Sequence, residues 1–342
     1  MKTTGLIALL VTTAAAVVAA VLVSSGGRGA GPDPQADALV LPELRQKLDG
    51  VARITLQRAG VKTTLLRQGD HWVVEEKGGY PADGAKVRQA LAGLAELRYV
   101  EPKTRKPELY PRLEVEDVGQ KDAKSTLVTV SDDKNEVIGE IIAGKFRVDA
   151  LGGNTDGVYL RKPDDKQSWL ARGTLDLSGD TAAWLDRSIV DIPREQVKEV
   201  VLTGPDGSTL DIAHDKAEDP LALKGAPAEA KPKSDSALVE PTTVLASLTL
   251  SDVRPLAELP VPADGVAHAD VTGFDGLTLK LALFDKDGKS WVHIEAAGSG
   301  DAEKKAADLN AKLAPWIYAI PDYKAKALRT KLADVTAAPK PS

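Results

Sequence analysis

The distribution of apolar and polar positions changes character once along this chain. Residues 6–23, LIALLVTTAAAVVAAVLV, carry no charge at all. At about 1.5 Å rise per residue such a run spans roughly 27 Å as a helix, close to the thickness of a bilayer's hydrocarbon core. From residue 44 onward the chain instead breaks into short stretches of alternating apolar and polar residues separated by turn residues, the pattern of half-buried strands. Val51–Leu56, Thr63–Arg67 and His71–Glu75 fit it, with Gly69-Asp70 as a turn. Asp83 is placed to cap a helix over Gly84–Arg98, in which Val87, Leu91, Leu94 and the Arg98 stem form one stripe. A proline-punctuated connection from Pro102 to Pro111 leads to strands at Thr126–Val130, Val137–Ala143, Phe146–Ala150, Gly157–Arg161 and Ser168–Leu170. Asp132–Asn135 and Gly152–Asn154 are turn clusters. A short helix over Asp180–Ser188 carries Trp184 and closes at Ile192-Pro193.

The same order then recurs. Leu91-Ala92-Gly93-Leu94 with Val100-Glu101-Pro102 returns as Leu245-Ala246-Ser247-Leu248 with Val253-Arg254-Pro255, displaced by 154 residues at the leucine and 153 at the proline. That period exceeds the roughly 20–50 residues of a solenoid unit and matches a domain. The second copy predicts strands at Glu199–Leu202 and Thr209–Ala213 around a Pro205-Asp206-Gly207 turn, and a helix over Pro241–Leu248. Strands at Leu277–Phe284 and Trp291–Glu295 flank Asp285–Gly288, a type I′ hairpin signal. On the repeat, this turn aligns with Asp132, and Trp316 with Ile320-Pro321 aligns with Trp184 and Ile192-Pro193. Helices over Asp301–Ala314 and Asp322–Val335 complete the chain.

Strands and helices do not alternate, which disfavours a parallel sheet. The expected fold class is α+β: an N-terminal transmembrane helix, then two tandem, related domains of antiparallel sheet with helices packed on one face. The expected boundaries are an anchor at 1–23, a flexible linker at 24–43, a first repeat domain at 44–195, and a second at 196–335 with a disordered insertion at 225–236. Residues 336–342 form a disordered tail.

Composition narrows the possible partners. The net charge is −6, from 44 basic and 50 acidic residues mixed along the chain, which argues against a nucleic-acid binder with its basic face. Cysteine is absent, which removes disulfides, thiolate nucleophiles, Cys-ligated metals and a lipidated N-terminal Cys. Lys2 precedes the apolar run while Arg28, Asp33 and Asp37 follow it, so the positive-inside rule puts the N-terminus in the cytoplasm and the bulk outside. The competing reading is a cleaved secretory signal, which equally sends the bulk of the chain out of the cytoplasm.

His71-Trp72-Val73-Val74, then Tyr80-Pro81-Ala82-Asp83 before a Leu-rich helix, Val158-Tyr159-Leu160, and Trp184-Leu185 with Ile192-Pro193 resemble the domain-of-unknown-function 4340 family of bacterial membrane-anchored proteins. Where that family usually reads Gly-Leu-Asp-x-Pro, this chain has Arg112-Leu113-Glu114-Val115-Glu116. Members are often encoded beside ABC-type exporters related to gliding-motility transporters, and the family offers no active site to carry over. The resemblance therefore implies an accessory protein of the bacterial envelope, anchored in the inner membrane by one helix, with transporter subunits as partners.

Searching the residues for chemistry assigns no catalytic, cofactor-binding or metal site. His71, His214, His268 and His293 lack metal-ligand spacing. Asp285-x-Asp287-Gly288 opens like a calcium loop but lacks the later acidic ligands. Asp132-Asp133 and Asp164-Asp165 sit in polar turns, and Ala297-Gly298-Ser299-Gly300 lacks a nucleophile-elbow context. Lys103, Arg105 and Lys106, and the face Lys324, Lys326, Arg329 and Lys331, are candidate contacts for anionic headgroups or cell-wall polymer. Trp72, Trp169, Trp184, Trp291 and Trp316 read as core residues rather than sugar platforms. The expected function is non-catalytic binding in an ABC-type export system. The alternatives are an envelope polysaccharide or peptide hydrolase, and a lipid or glycan binding module using the cleft between the domains.

Overall fold

The computed structural model describes residues 36–337. The expected anchor at 1–23, the first part of the linker and residues 338–342 of the tail lie outside the described residues. Among the described residues no helix is long and apolar enough to cross a membrane.

Most of the chain is antiparallel sheet, with a few helices, an α+β arrangement. Strands β1 (Arg53–Arg58), β2 (Val61–Gln68), β3 (His71–Val74), β4 (Tyr80–Pro81), β5 (Arg98–Pro102), β6 (Thr126–Ser131), β7 (Val137–Arg147), β8 (Gly157–Arg161) and β9 (Ser168–Arg172) form one sheet. Its order is β4-β3-β2-β1-β6-β7-β8-β9-β5. After β10 (Ser188–Val190) come β11 (Val197–Thr203), β12 (Thr209–Ala213), β13 (Ala222–Lys224), β14 (Leu248–Thr249) and β15 (Asp252–Pro255). The chain continues through β16 (Ala267–Gly273), β17 (Thr278–Lys286), β18 (Lys289–Ala297) and β19 (Trp316–Ile320). The second sheet runs β13-β12-β11-β16-β17-β18-β19-β15, while β10 and β14 pair as a separate two-stranded ribbon. Without β4, the first order is the second with each strand replaced by its counterpart. The register agrees in detail at the far edge: Pro102 faces Trp169 across β5 and β9, and Pro255 faces Trp316 across β15 and β19.

Each sheet is covered on both faces. Ile141 and Ala143, Val158 and Leu160, Trp169 and Ala171 point to the main core, where the helix Gly84–Glu96 lays Val87, Ala90, Leu91, Leu94 and Ala95. The Asp83 carboxylate starts that helix by accepting the amides of Ala85 (2.9 Å) and Lys86 (3.0 Å). Alternate residues Ile142, Tyr159 and Leu170 face the other way, under the crossover segment that carries Tyr110 and Val115. In the second sheet Phe284, Trp291, Ile317 and Ala319 face a back layer holding Leu259 and Val266. Thus in both halves the chain leaves the edge strand, β5 or β15, and crosses the back of its own sheet before entering β6 or β16. The buried Arg161 fixes the first crossover. Its guanidinium donates to the carbonyls of Val115 (3.1 Å), Pro163 (3.0 Å) and Asp165 (3.2 Å), pairs with Asp117, and stacks 4.8 Å from the Tyr110 ring.

Several local expectations are corrected. Residues 38–43 are not a free linker, because Val40 and Leu41 are buried and the Val40 amide bonds the Leu97 carbonyl. The helix begun at Gly84 stops at Glu96, since Arg98 is already a ladder residue opposite Arg172. Residues 180–188 hold only a 3₁₀ turn, Thr181–Trp184, before β10. The second-copy helix is Asp235–Thr242, with Pro241 in its last turn; Leu245–Leu248 are turn and strand, with Ser247 at φ 48°. The last helix is broken into Asp322–Ala327 and Leu332–Val335. Residues 225–236, read as a disordered insertion, bond the end of the last helix and the residues just after it, through Lys233 N to Val335 O and Ala337 N to Lys231 O. Two alignments also shift. Asp285–Gly288 joins β17 to β18 and so matches the β7–β8 connection, not Asp132, and Trp316 matches Trp169, not Trp184.

The crossover imposes a checkable constraint at Gly144. A Cβ there would lie 2.7 Å from the Glu114 carbonyl and closer still to that of Leu113. Gly144→Ala is expected to lower unfolding free energy by about 1–3 kcal/mol. Gly119→Ala, with nothing near its Cβ position, should stay close to neutral. Denaturant titration of both variants measures the difference.

Candidate functional site: the junction of the two sheets

The first sheet reaches the second through residues 75–81. After the 3₁₀ turn Glu75–Lys77, Gly78 (φ 67°) and Gly79 (φ 81°) turn the chain left-handed into β4, a conformation that glycine adopts without steric cost. Gly78 also has no room for a side chain, because a Cβ would stand 2.5 Å from Cγ of Pro255. The next side chain, Tyr80, is buried and meets the Trp316 ring edge-on at 5.0 Å and the Tyr318 ring at 6.2 Å. Burial first, and the Asp186 carboxylate second, push the Tyr80 phenol far above its ordinary pKa, so it stays neutral.

Beside this aromatic contact Asp252, at the start of β15, is buried. Its Oδ1 accepts from Lys77 Nζ at 2.5 Å and its Oδ2 from Lys289 Nζ at 2.8 Å, one ammonium from each sheet. Burial alone would raise its pKa. The Lys289 and Lys77 ammonium groups, with the Val253 amide, outweigh that and hold the carboxyl below its usual range. A recess of about 530 Å³ opens alongside, lined among others by Lys62, Glu76, Lys77, Asp180, Asp252 and Lys289. Both ammonium and carboxylate groups line it, and both Asp252 oxygens are engaged.

The ribbon of β10 and β14 adds backbone bonds to the same junction. Ile192 N donates to Leu245 O and Leu250 N to Arg187 O, both at 3.0 Å, and Ser247 N donates to the Asp191 carboxylate at 2.6 Å. Lys324 closes the ribbon's turn. It is buried, and its ammonium donates to the carbonyls of Thr243 (2.9 Å) and Ala246 (2.7 Å), while burial lowers its pKa against the raising effect of Asp191.

Of the residues singled out in the sequence, few meet. His71 is exposed at the start of β3, and His214 is buried against the carbonyls of Val197 (2.7 Å) and Asp219 (3.2 Å). His268 and His293 share a rung across β17, about 10 Å apart, and His293 bonds the Ala314 carbonyl at 2.9 Å. No group of three or more metal-ligating side chains occurs among the described residues. Asp132 accepts the amides of Lys134 and Glu136 in its own turn, and Asp165 that of Gln167. Asp287 (φ 53°) and Gly288 (φ 71°) form the expected type I′ turn, while Asp285 binds Ser290 and Arg329 at 2.7 Å each. The basic face of the last helix is largely consumed: Lys324 is buried, Arg329 pairs with Asp285 and Lys331 with Asp206. Lys103 pairs with Glu101. Trp72, Trp169, Trp184 and Trp291 are buried, and Trp316 is half-buried against Tyr80. The junction residues Lys77, Gly78 and Asp252 were not singled out by sequence. The only local signal is the Gly78-Gly79 pair ahead of an aromatic residue.

The family model for the domain of unknown function (DUF4340) matches residues 72–275, from β3 to just past β16 and more than half of the chain, which therefore belongs to that family. No curated protein and no solved structure shows a significant match.

The Asp252 clasp has a defined pH signature. A carboxyl held below its unfolded value stabilises the fold above about pH 3.9, and that contribution disappears as pH falls through the folded value. Asp252→Asn is expected to lower stability by about 1–3 kcal/mol at pH 7. Its deficit against the unsubstituted protein should shrink toward zero below about pH 3.9. Urea titrations of both proteins at the two pH values provide the measurement.

Proposed function

We propose that this member of the DUF4340 family is a single-pass protein of the bacterial inner membrane, held by residues 6–23, that acts by binding rather than catalysis as an accessory of an ABC-type exporter. On this reading the two sheets outside the membrane are copies of one α+β unit with helices on one face, produced by duplication. Their common strand order and the equivalent Pro102–Trp169 and Pro255–Trp316 pairs support that origin.

The observation that carries a binding role is the way the junction uses its polar groups. Asp252 spends both oxygens on Lys77 and Lys289, Lys324 caps two carbonyls, and Tyr80 sits between Trp316 and Tyr318. These contacts lock two domain-sized units into one body, which suits a scaffold that presents surfaces to other subunits. The exporter as partner, the location outside the cytoplasm and the anchor follow from the family resemblance and the apolar run Leu6–Val23.

The full chain, solubilised from its native membrane in mild detergent, is expected to co-purify with the membrane and ATP-binding subunits of a transporter, as read by mass spectrometry of the affinity eluate. A chain that elutes alone, or that is recovered from the soluble fraction, overturns the proposal.

A further inference from the structure

Val148, in the turn that follows β7, is the most exposed large apolar residue among those described. Val148 is 77% exposed and Phe146 37%, and they alternate with the exposed cations Lys145 and Arg147. The turn is held in place. Gly152 (φ 77°) and Gly153 (φ 63°) shape its tip, Leu151 N bonds Thr155 O, and the Ala150 methyl lies 3.0 Å from where a Cβ on Gly157 would be. Its carboxylates are turned onto the backbone: Asp156 accepts the Asp149 amide (3.0 Å) and Asp149 the Asn154 amide (2.8 Å).

The base of this hairpin is a rung of the sheet. Arg147 faces Gly157, Gly157 faces Arg172, and Arg172 faces Arg98. Register partners share a face, and four neighbouring strands span about 15 Å, so three guanidinium groups lie in one row. The chain reaches this row directly from its N-terminal segment. Asp37 pairs with Arg172 at 2.6 Å, and its carbonyl accepts from Arg98 at 2.7 Å. The cations here include Lys145, Arg147, Arg172 and Arg98; of the carboxylates, Asp37 is taken by Arg172 and Asp149 and Asp156 by backbone amides, while Glu114 and Asp176 line the recess beside Phe146 with Arg58 and Lys124. Only residues 24–36 separate Asp37 from the apolar run ending at Val23, a length that spans at most about 45 Å.

We propose that the β7–β8 hairpin is a second membrane contact: Val148 enters the interfacial layer of a bilayer, and the exposed Lys145 and Arg147 at its base meet anionic phospholipid headgroups. The inference rests on the reading of residues 6–23 as an anchor. A short tether that ends on this row keeps it near the surface, and exposed cations beside an exposed apolar tip are the chemistry an anionic bilayer attracts. The contact sets the orientation of the first sheet relative to the membrane, which a tether alone would leave free.

The chain has no cysteine, so Val148→Cys and Val137→Cys each give one labelling site. Val137 is 58% exposed at the other end of β7, roughly 33 Å away along the strand. The full-length protein is placed in nanodiscs of phosphatidylethanolamine and phosphatidylglycerol, and an environment-sensitive dye at each site is challenged with nitroxide-bearing lipid. Quenching several-fold stronger at 148 than at 137, lost in phosphatidylcholine discs and reduced by Lys145→Glu with Arg147→Glu, is the expected result. Equal, water-like emission from both sites in protein that co-elutes with the discs overturns the hairpin contact and leaves the anchor standing. Protein that does not co-elute with discs overturns the anchor, and the hairpin contact with it.

Discussion

A buried carboxylate stays ionised only if cations replace the water it has lost, and Asp252 finds those cations on two different sheets. Lys77 belongs to the turn that ends the first sheet's edge hairpin, and Lys289 opens β18 of the second. The clasp therefore forms only when the two units take one relative position. Around it every contact is of the same exacting kind. Gly78 leaves no gap for another side chain against Pro255, and Tyr80 meets Trp316 nearly perpendicular, at 89°. The β10–β14 ribbon then adds backbone pairing that is indifferent to side-chain identity. Neighbouring units in a chain often share a small, polar interface and move freely. Here the main hydrophobic core itself runs across the junction, through Leu185, Ile189 and Val190 to Leu245 and Leu248.

The two sheets meet the same covering problem with similar means. An antiparallel sheet of eight or nine strands has two faces, and a few short helices can cover only one. In each unit the chain after the edge strand crosses the back face, and a cation lies over an aromatic ring there: Arg161 over Tyr110, and Arg254 over Trp291 at 5.1 Å. Gly144 marks how closely the first crossover approaches its sheet. The long β7–β8 hairpin departs from this economy. It extends past the covered area and leaves Val148 in solvent, an arrangement that makes physical sense at a surface meant to meet something else.

Period-two alternation made β1 and β17 legible, because each buries mainly alternate residues, whereas β2, β7 and β18 bury successive residues and were marked instead by apolar runs set between turn residues. The Asp83 cap and the Asp285–Gly288 hairpin were readable as well, since both act within a few residues. Short edge strands such as β4, β13 and β15 were not, for two to four residues carry no period. The expected helix over Pro241–Leu248 failed past Thr242 for a related reason: four residues of repeat motif suit a helix or a turn equally, and Ser247, at positive φ with its amide on the Asp191 carboxylate, decides for the turn. The basic stripe of the last helix failed because its partners, Asp206, Asp285 and the carbonyls near Thr243, come from distant segments.

By itself the sequence determined the α+β class and the family, because these are set by local patterns of apolar and turn residues and by short motifs. Only the tertiary structure decided the candidate site. Lys77 and Asp252 lie 175 residues apart, and nothing in either neighbourhood signals the other. Their meeting depends on how two complete sheets pack, and the free energy of that packing is spread over many apolar contacts that no local pattern contains.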